Sequence, residues 1–84
     1  MKVSLKLFAT LAAHLPAEAR SRHRLELEIE GGTTVLDLLR LQGIRPDRCA
    51  IVLVDGVWIA PAEWAVRALA EGEVLAIWPP VAGG

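Results

Sequence analysis

The stretch from Arg24 to Gly43, RLELEIEGGTTVLDLLRLQG, decides the fold because its apolar residues change their spacing halfway along. In residues 24–30, leucine or isoleucine alternates with a charged residue, which is the period of a strand that buries one face. Farther along, Val35, Leu38 and Leu39 form an apolar stripe with spacings of three and four residues, which is the period of a helix face. A strand that leads directly into a helix predicts a sheet with that helix packed across it.

Turn signals fix the two ends of this helix. Gly31 and Gly32 form a turn after the strand, and Thr34 is a good N-cap, with Asp37 three positions later as a shortened capping box. Gly43 supplies the stop, since glycine tolerates the left-handed conformation in which many helices end. The sequence therefore predicts a helix that begins after Thr34 and ends before Gly43.

Further strands are predicted in four segments, residues 2–8, 50–54, 57–59 and 74–78. The segment AIVLV is apolar on both faces and is therefore predicted to be a central strand. Asp55-Gly56 joins it to the next strand, because Asp-Gly is a strong signal for a two-residue hairpin turn. The order of strand, strand, helix and three strands predicts an α+β fold, with the first and last strands side by side.

Two segments connect these elements. Residues 9–23 contain a possible short helix broken at Pro16, and residues 61–70 are irregular or form one helical turn. If the first two strands pair, Lys2 and Lys6 are expected near the glutamates of the second strand on its solvent-facing side. Such exposed pairs favour a register but do not make a fold.

The composition describes a small apolar domain. Its 84 residues carry a net charge of −1, 54% of them are hydrophobic, and the mean hydropathy is +0.41. A domain of this size cannot bury so much apolar surface, so we expect an exposed apolar patch that meets a partner protein. No apolar run reaches the length of a transmembrane helix, and the charge predicts neither a nucleic-acid partner nor a membrane partner.

The N-terminus, MKVSLKLFATLAAHLPAEA, imitates a secretory signal through its early lysines, apolar stretch and Ala-x-Ala end. Lys6 interrupts the apolar stretch, however, and the alternation around it favours the strand. The one cysteine, Cys49, opens the apolar run CAIVLV and is expected to be a small core residue rather than a reactive thiol. A single cysteine excludes an internal disulfide and fits a cytoplasmic location.

The sequence contains no motif of a complete active site, neither a phosphate-binding loop with lysine nor Gly-x-Ser-x-Gly nor His-Glu-x-x-His. His14 and His23 fall in the predicted connection, where solvated histidines are favoured over metal ligands or bases. Glu26, Glu28 and Glu30 share a strand face, and a solvated face is favoured over a calcium or acid–base site. We therefore predict no metal site, and we expect at least one of the three tryptophans in the core.

The segment WPPVAGG, residues 78–84, has the properties of a slender extended probe. Its two prolines hold φ at about −65° and carry the chain away from the body. The two glycines have no side chain, so the tail can enter a channel too narrow for any residue with a Cβ. The α-carboxylate of Gly84 is ionised at neutral pH and is a competent nucleophile toward an activated phosphate. A frayed terminus or an expression remnant is the disfavoured alternative.

The approach to the tail, LAEGEVLAIWPPVAGG, resembles the ending of the molybdopterin synthase small subunit and of the related thiamine-pathway sulfur carrier, which are ubiquitin-like β-grasp proteins. MKVSLKLFATLAAHLP and GGTTVLDLLRLQGI resemble the first strand and helix of the molybdopterin type and the family's Thr-Val-x-x-Leu-Leu helix. AIVLVDGVWIAPAEW is closer to the thiamine type. The resemblance implies a β-grasp mixed sheet of about four to five strands with one main helix packed across it. It also implies a single domain over residues 1–78 and an extended, flexible tail over residues 79–84.

In this family, an enzyme related to ubiquitin-activating enzymes adenylates the C-terminal glycine, which then becomes a thiocarboxylate that donates sulfur. The resemblance therefore assigns the adenylate and then the sulfur to Gly84, and clearance around it to Gly83. Val81 and Ala82 would thread the partner's channel. The other partner-binding positions that it implies are Trp78, Pro79 and Pro80, which set the direction of exit, and Phe8 on the partner-facing sheet.

The implied partners are a ubiquitin-activating-type adenylyltransferase, a sulfur donor of the cysteine desulfurase or rhodanese type, and a large synthase subunit. ATP is bound by the activating partner, and this chain is expected to bind no cofactor and to be a subunit and substrate rather than a complete enzyme.

Molybdopterin biosynthesis, for molybdenum or tungsten, is the favoured pathway. Delivery to thiamine thiazole or another sulfur metabolite, a ubiquitin-like protein modifier, and an interaction module with an inert tail stay open. Glu73 and Asp55 replace the Asp and Asn that are usual in the family.

Overall fold

The computed structural model describes residues 1–80, and these residues form five strands. The strands are β1 (Lys2–Leu7), β2 (Arg24–Glu28), β3 (Ile51–Val54), β4 (Val57–Trp58) and β5 (Val74–Trp78). The α-helices are α1 (Ala17–Arg20) and α2 (Val35–Leu41), and short 3₁₀ helices span Ala9–His14, Pro46–Arg48 and Pro61–Glu63. Each predicted strand and the main helix are therefore present, and their ends fall close to the predicted positions.

The strands form one mixed sheet in the order β2-β1-β5-β3-β4. β1 and β5 run parallel, with Leu5 opposite Leu75, and the other neighbouring strands are antiparallel. The predicted adjacency of the first and last strands is confirmed. One main helix packed on a sheet of this order is the α+β, β-grasp arrangement that the resemblance implied.

β5, rather than β3, occupies the middle of the sheet. β3 does have a neighbour on each side, but its two faces differ. Val52 and Val54 are buried, whereas Ile51 is 46% exposed and Leu53 is half-buried. The prediction of a central strand is therefore right about pairing and wrong about burial, because a continuous apolar run does not reveal which face stays open.

The predicted capping of α2 is confirmed. The Thr34 hydroxyl accepts a hydrogen bond from the Asp37 backbone N–H, and the Asp37 carboxylate accepts one from the Thr34 N–H, each at 3.1 Å. These two bonds satisfy amides that the first turn of a helix leaves without partners. At the other end Gly43 has a φ of +72°, which a residue with a side chain rarely adopts.

The Asp55-Gly56 hairpin is also confirmed, and Asp55 has a second role. Both residues have positive φ, +49° and +81°, as a type I′ turn requires. The Asp55 carboxylate accepts a hydrogen bond from the Val74 N–H at 2.8 Å, and the Asp55 N–H donates to the Val74 carbonyl at 2.9 Å. The turn is thus joined to the start of β5, through a side-chain oxygen that Asn also possesses.

The core lies between α2 and one face of the sheet. Its most deeply buried side chains come from both elements, namely Leu5, Leu7, Val35, Leu38, Leu39, Val52, Leu75 and Ile77. The connection from β1 to β2 closes one side, since Leu11, Leu15 and Ala19 are buried there. Trp64 is 5% exposed, and its indole N–H donates to the Ile59 carbonyl at 3.0 Å, which confirms the expectation of a core tryptophan.

The register of β1 against β2 corrects one predicted charge pairing. Lys2 does lie opposite Glu28, but Lys6 lies opposite Arg24. The inward residues set this register, because Leu5 must face Leu25 to keep both strands' apolar side chains on the core face. The prediction that both lysines lie near glutamates is therefore wrong for Lys6.

Glu73, at the turn before β5, holds the preceding loop through Arg67. The Arg67 guanidinium donates to the Glu73 carboxylate at 2.7 and 3.3 Å, and the Ala70 N–H donates to it at 2.6 Å. The Arg67 backbone carbonyl in turn accepts from the Val35 N–H at the start of α2. The hydrogen bonds from Arg67 lower the pKa of the Glu73 carboxyl from its ordinary value, although partial burial acts in the opposite direction.

Glu73→Gln is expected to lower the free energy of unfolding at pH 7 by about 1 kcal/mol, because the hydrogen bonds from Arg67 lose their charged acceptor. A carboxyl whose pKa is lowered on folding stabilises the fold above its unfolded pKa, and that contribution is lost as the pH falls through the lowered value. The difference between the parent chain and Glu73→Gln, measured by urea denaturation, should therefore shrink below about pH 4.

Glu63→Gln is the matched control, since Glu63 is exposed and forms no side-chain hydrogen bond within residues 1–80. It should leave the stability within about 0.5 kcal/mol of the parent. A Glu73→Gln difference that stays constant from pH 7 to pH 3 would contradict the role given to the Arg67–Glu73 pair.

Candidate functional site

The face of the sheet that points away from α2 carries an apolar surface, here called the outer face. β5, β3 and β4 contribute its side chains, which are Val74, Ala76, Trp78, Ile51, Leu53 and Trp58. None of these six residues is charged, and Trp58 is 59% exposed. The exposed apolar patch expected from the composition is therefore present, and it surrounds the end of β5.

Three aromatic rings stack where β1 and β5 end. Phe8 and Trp78 lie nearly parallel, with ring centroids 4.3 Å apart and an interplanar angle of 6°. His23 stacks on Phe8 at 5.4 Å and 19°. The aromatic stack of His23, Phe8 and Trp78 places Phe8 on the outer side of the sheet next to Trp78, and the partner-binding role of both residues stays a prediction.

His23 differs from the solvated loop histidine that the sequence predicted. It is half-buried, its φ is +55°, and its Nδ1 lies 3.2 Å from the Leu7 carbonyl oxygen. The Leu7 N–H also donates to the His23 carbonyl at 3.1 Å. The correction follows from strand pairing, which brings residue 23 to the end of β1, and no local spacing signals it. His14 is exposed, as predicted.

The C-terminal end of β5, where the predicted tail begins, is fixed by the aromatic stack and by hydrogen bonds to its neighbours in the sheet. The Trp78 carbonyl accepts from the Ala50 N–H at 2.8 Å, and the Phe8 N–H donates to the Ile77 carbonyl at 3.2 Å. Pro79 is half-buried next to this anchored end, and Pro80 is exposed. The direction of the chain at Pro79 is thus set by hydrogen bonds on both sides of β5.

The predicted roles of Val81, Ala82, Gly83 and Gly84 fall outside the described residues and stay predictions. The same holds for the boundary between a domain over residues 1–78 and a flexible tail over residues 79–84. The described residues include only the start of the predicted tail, at Pro79 and Pro80.

Cys49 is a core residue, as predicted, and is not poised as a nucleophile. It is 9% exposed, and burial, together with the nearby charge of Asp47, raises the pKa of its thiol to about 11. A thiol with so high a pKa is almost entirely protonated at neutral pH and reacts slowly. Within residues 1–80, no cluster of His, Cys, Asp and Glu is arranged to hold a metal ion.

None of the helices formed by residues 1–80 has the length and apolar character to cross a membrane. The outer face combines an uncharged apolar surface with an anchored point of chain exit, and such a surface is suited to binding another protein.

The described residues thus form a small ubiquitin-like α+β domain with an apolar outer face and an anchored last strand. The chain belongs to the ThiS family, whose model matches residues 13–84. The family resemblance read from the sequence is therefore confirmed, and the protein has the ubiquitin-like fold of sulfur carriers and modifiers. A search of curated protein sequences found no match.

Solved structures extend the similarity over the whole chain. SAMP1, the small archaeal modifier protein 1 of Haloferax volcanii, is 30% identical with a TM-score of 0.66, and all of both chains is covered. A putative molybdopterin converting factor subunit 1 from Pyrococcus furiosus shares the fold at 24% identity and a TM-score of 0.63, over 95% of this chain and 98% of that one. A chain from the complex of subunits 1 and 2 of the Helicobacter pylori molybdopterin-converting factor shares it at 16% identity and a TM-score of 0.60, with all of both chains covered.

Phe8→Leu is expected to release the imidazole of His23 from the aromatic stack. Because His23 lies over the face of the Phe8 ring, the ring current should shift its C–H proton resonances upfield in the parent protein. In Phe8→Leu these resonances should move downfield, and stability should fall by about 1–2 kcal/mol. Proton NMR of the two histidines measures the shift.

His14 provides an internal control in the same spectra, because it is exposed and outside the stack. Its resonances should not change in Phe8→Leu. Parent spectra in which both histidines show the same unshifted resonances would contradict the stack.

Proposed function

We propose that this protein is a sulfur carrier whose Gly84 carboxylate is adenylated by a ubiquitin-activating-type adenylyltransferase and then converted to a thiocarboxylate. The observation that carries the proposal is the anchored end of β5, from which Pro79 and Pro80 lead into Val-Ala-Gly-Gly in a ThiS-family chain. To enter a narrow nucleotide site, a terminal carboxylate needs a tail that starts from a fixed point and ends in small residues.

The outer face supplies binding energy away from the reacting atoms. Docking of its uncharged apolar side chains removes apolar surface from water at about 25 cal/mol per Å². Because the base of the tail is held by Ala50 and by the stack at Phe8, less conformational entropy is lost when a partner orders the remaining residues. Holding the carboxylate beside ATP then accelerates their reaction by proximity.

The proposed chemistry has two steps that balance. A carboxylate oxygen of Gly84 attacks the α-phosphorus of ATP, a new P–O bond forms, and the bond to pyrophosphate breaks. Hydrosulfide then adds to the acyl carbon, and the C–O bond to AMP breaks, which leaves the thiocarboxylate and AMP. In cells the outer sulfur of a persulfide on a desulfurase or rhodanese-type donor would attack the acyl carbon and release AMP, which gives an acyl disulfide. A second thiol would then reduce that disulfide, so that the thiocarboxylate leaves and the donor cysteine and the thiol form a disulfide. ATP is bound by the adenylyltransferase, so the carrier itself needs no cofactor.

Molybdopterin biosynthesis is the pathway we propose, with a large synthase subunit as the acceptor of the activated carrier. The similarity in fold to a molybdopterin converting factor subunit 1, and to a chain of a subunit 1 and 2 complex, supports this choice. Delivery to thiamine thiazole or to another sulfur metabolite is the alternative within the same chemistry. The genes beside this one would distinguish the two pathways.

Incubation of the full chain with its host's adenylyltransferase, ATP and sulfide should raise the intact mass by the replacement of one oxygen atom with sulfur. Gly84→Val should abolish this change, because a branched side chain blocks the approach of the carboxylate to the α-phosphorus. Intact-mass spectrometry measures both outcomes.

Cys49→Ala is the matched control, and it should accept sulfur as the parent does, because the Cys49 thiol is buried and protonated. Gain of a whole sulfur atom by the parent, absent in Cys49→Ala, would place the sulfur on the cysteine as a persulfide and contradict the proposal. So would a Gly84→Val chain that gains sulfur at the parent's rate.

A second candidate is a ubiquitin-like modifier joined to lysines of other proteins. The 30% identity to SAMP1, a modifier by its name, favours it specifically. A modifier would also form the adenylate at Gly84. It would in addition form isopeptide bonds to lysines of other proteins in cells, and these linked species would be lost on deletion of Gly84. A carrier that acts only in sulfur transfer would show the thiocarboxylate without those species.

A further inference from the structure

Two like charges lie opposite each other at the border of the outer face. Lys6 and Arg24 are directly opposite in the β1–β2 register, and both side chains are half-buried. Within residues 1–80 neither forms an ion pair, and the Arg24 guanidinium donates instead to the Ser4 hydroxyl at 2.9 Å. Lys6 and Arg24 are here called the cationic pair.

The cationic pair does not stabilise the sheet, since like charges directly opposite on neighbouring strands repel. Lys6 also lies opposite Ala76 of β5, so the pair continues the cross-strand row that begins with the apolar residues Trp58 and Leu53. A protein that covers this row would therefore also cover the two cations. A carboxylate placed there by the partner would relieve their repulsion.

Charge on this side of the sheet also changes sign along the strands. The cationic pair lies toward the aromatic stack and the base of the tail, because Phe8 follows Lys6 by two residues. The opposite end of the strands has a net negative charge. Glu26, Glu28 and Glu71 lie there, and they outnumber the cations, which are Lys2 and the Met1 ammonium that pairs with Glu28 at 3.5 Å. A partner whose surface charges are complementary to this pattern can bind in only one orientation along the strands.

This inference rests on the proposed function: we infer that the cationic pair of Lys6 and Arg24 binds carboxylates of the adenylyltransferase, beside the apolar contact and near the entrance to its nucleotide site. The contact fixes the direction of the carrier, so that the tail points toward ATP. Nucleic acid fits the pattern less well, because Glu26 and Glu28 on the same strand face would repel a phosphate backbone.

Lys6→Glu separates a binding role from a structural one. It places a carboxylate opposite Arg24, so the stability of the free chain should stay equal to the parent's or rise. It should raise the KM for the carrier in ATP–pyrophosphate exchange about tenfold at low salt, with kcat unchanged, because charges at the rim of an interface act mainly on association. This difference should diminish at high salt.

Lys2→Glu is the matched control, since Lys2 lies on the same strand and the same side but at the acidic end, opposite Glu28. Its stability should fall slightly while its KM changes by less than about twofold. Lys6→Arg keeps the charge and should preserve the parent KM.

The outcomes separate the inference from the function on which it rests. If the parent chain is adenylated and Lys6→Glu and Lys2→Glu show the same KM, the inference is wrong and the proposed function stands. A parent chain that no host adenylyltransferase accepts would overturn both. Binding of the parent to a DNA oligonucleotide that is lost in Lys6→Glu would assign the pair to nucleic acid and overturn the inference alone.

Discussion

Parallel pairing of β1 with β5 is the constraint on which the other features depend. The two strands are at opposite ends of the described chain, and their pairing carries β5 into the middle of the sheet. Because the strands run in the same direction, the residues that follow them emerge at the same edge. Phe8 therefore meets Trp78, and the chain leaves the sheet beside a rigid neighbour. A C-terminal strand at the edge of the sheet would be held by hydrogen bonds on one side alone.

This topology also leaves the two faces of the sheet covered to different extents by the domain's own elements. α2 covers one face, and its stripe of Val35, Leu38 and Leu39 is buried almost completely. No helix within residues 1–80 covers the other face, although β5 and β3 are apolar there as well. An apolar surface left open by the domain's own elements is suited to cover by another protein. This asymmetry explains how so small a chain can be rich in apolar residues without a core large enough for them all.

The elements could be predicted from the sequence because each has a local signal, such as the alternation in β2 or the Thr34–Asp37 capping box of α2. The adjacency of β1 and β5 also followed from the order of the elements. Three features could not be predicted, and each joins residues distant in sequence. They are the stack of His23 on Phe8, the pairing of Lys6 with Arg24, and the second role of Asp55 on Val74. A register depends on packing between strands, and a periodic pattern shows only which residues share a face.

The fold divides stabilising and reactive groups between separate parts of the chain. Cys49, the one thiol, is buried where its pKa is raised, and the carboxylate of Glu73 is engaged by Arg67 and Ala70. Such groups hold the domain together but are poor reagents, because their preferred protonation state is fixed by the fold. In the proposed function the reacting group is instead a terminal carboxylate, which the partner enzyme activates. That separation would let the same rigid body present an unmodified, adenylated or sulfur-bearing terminus without any change in its own packing.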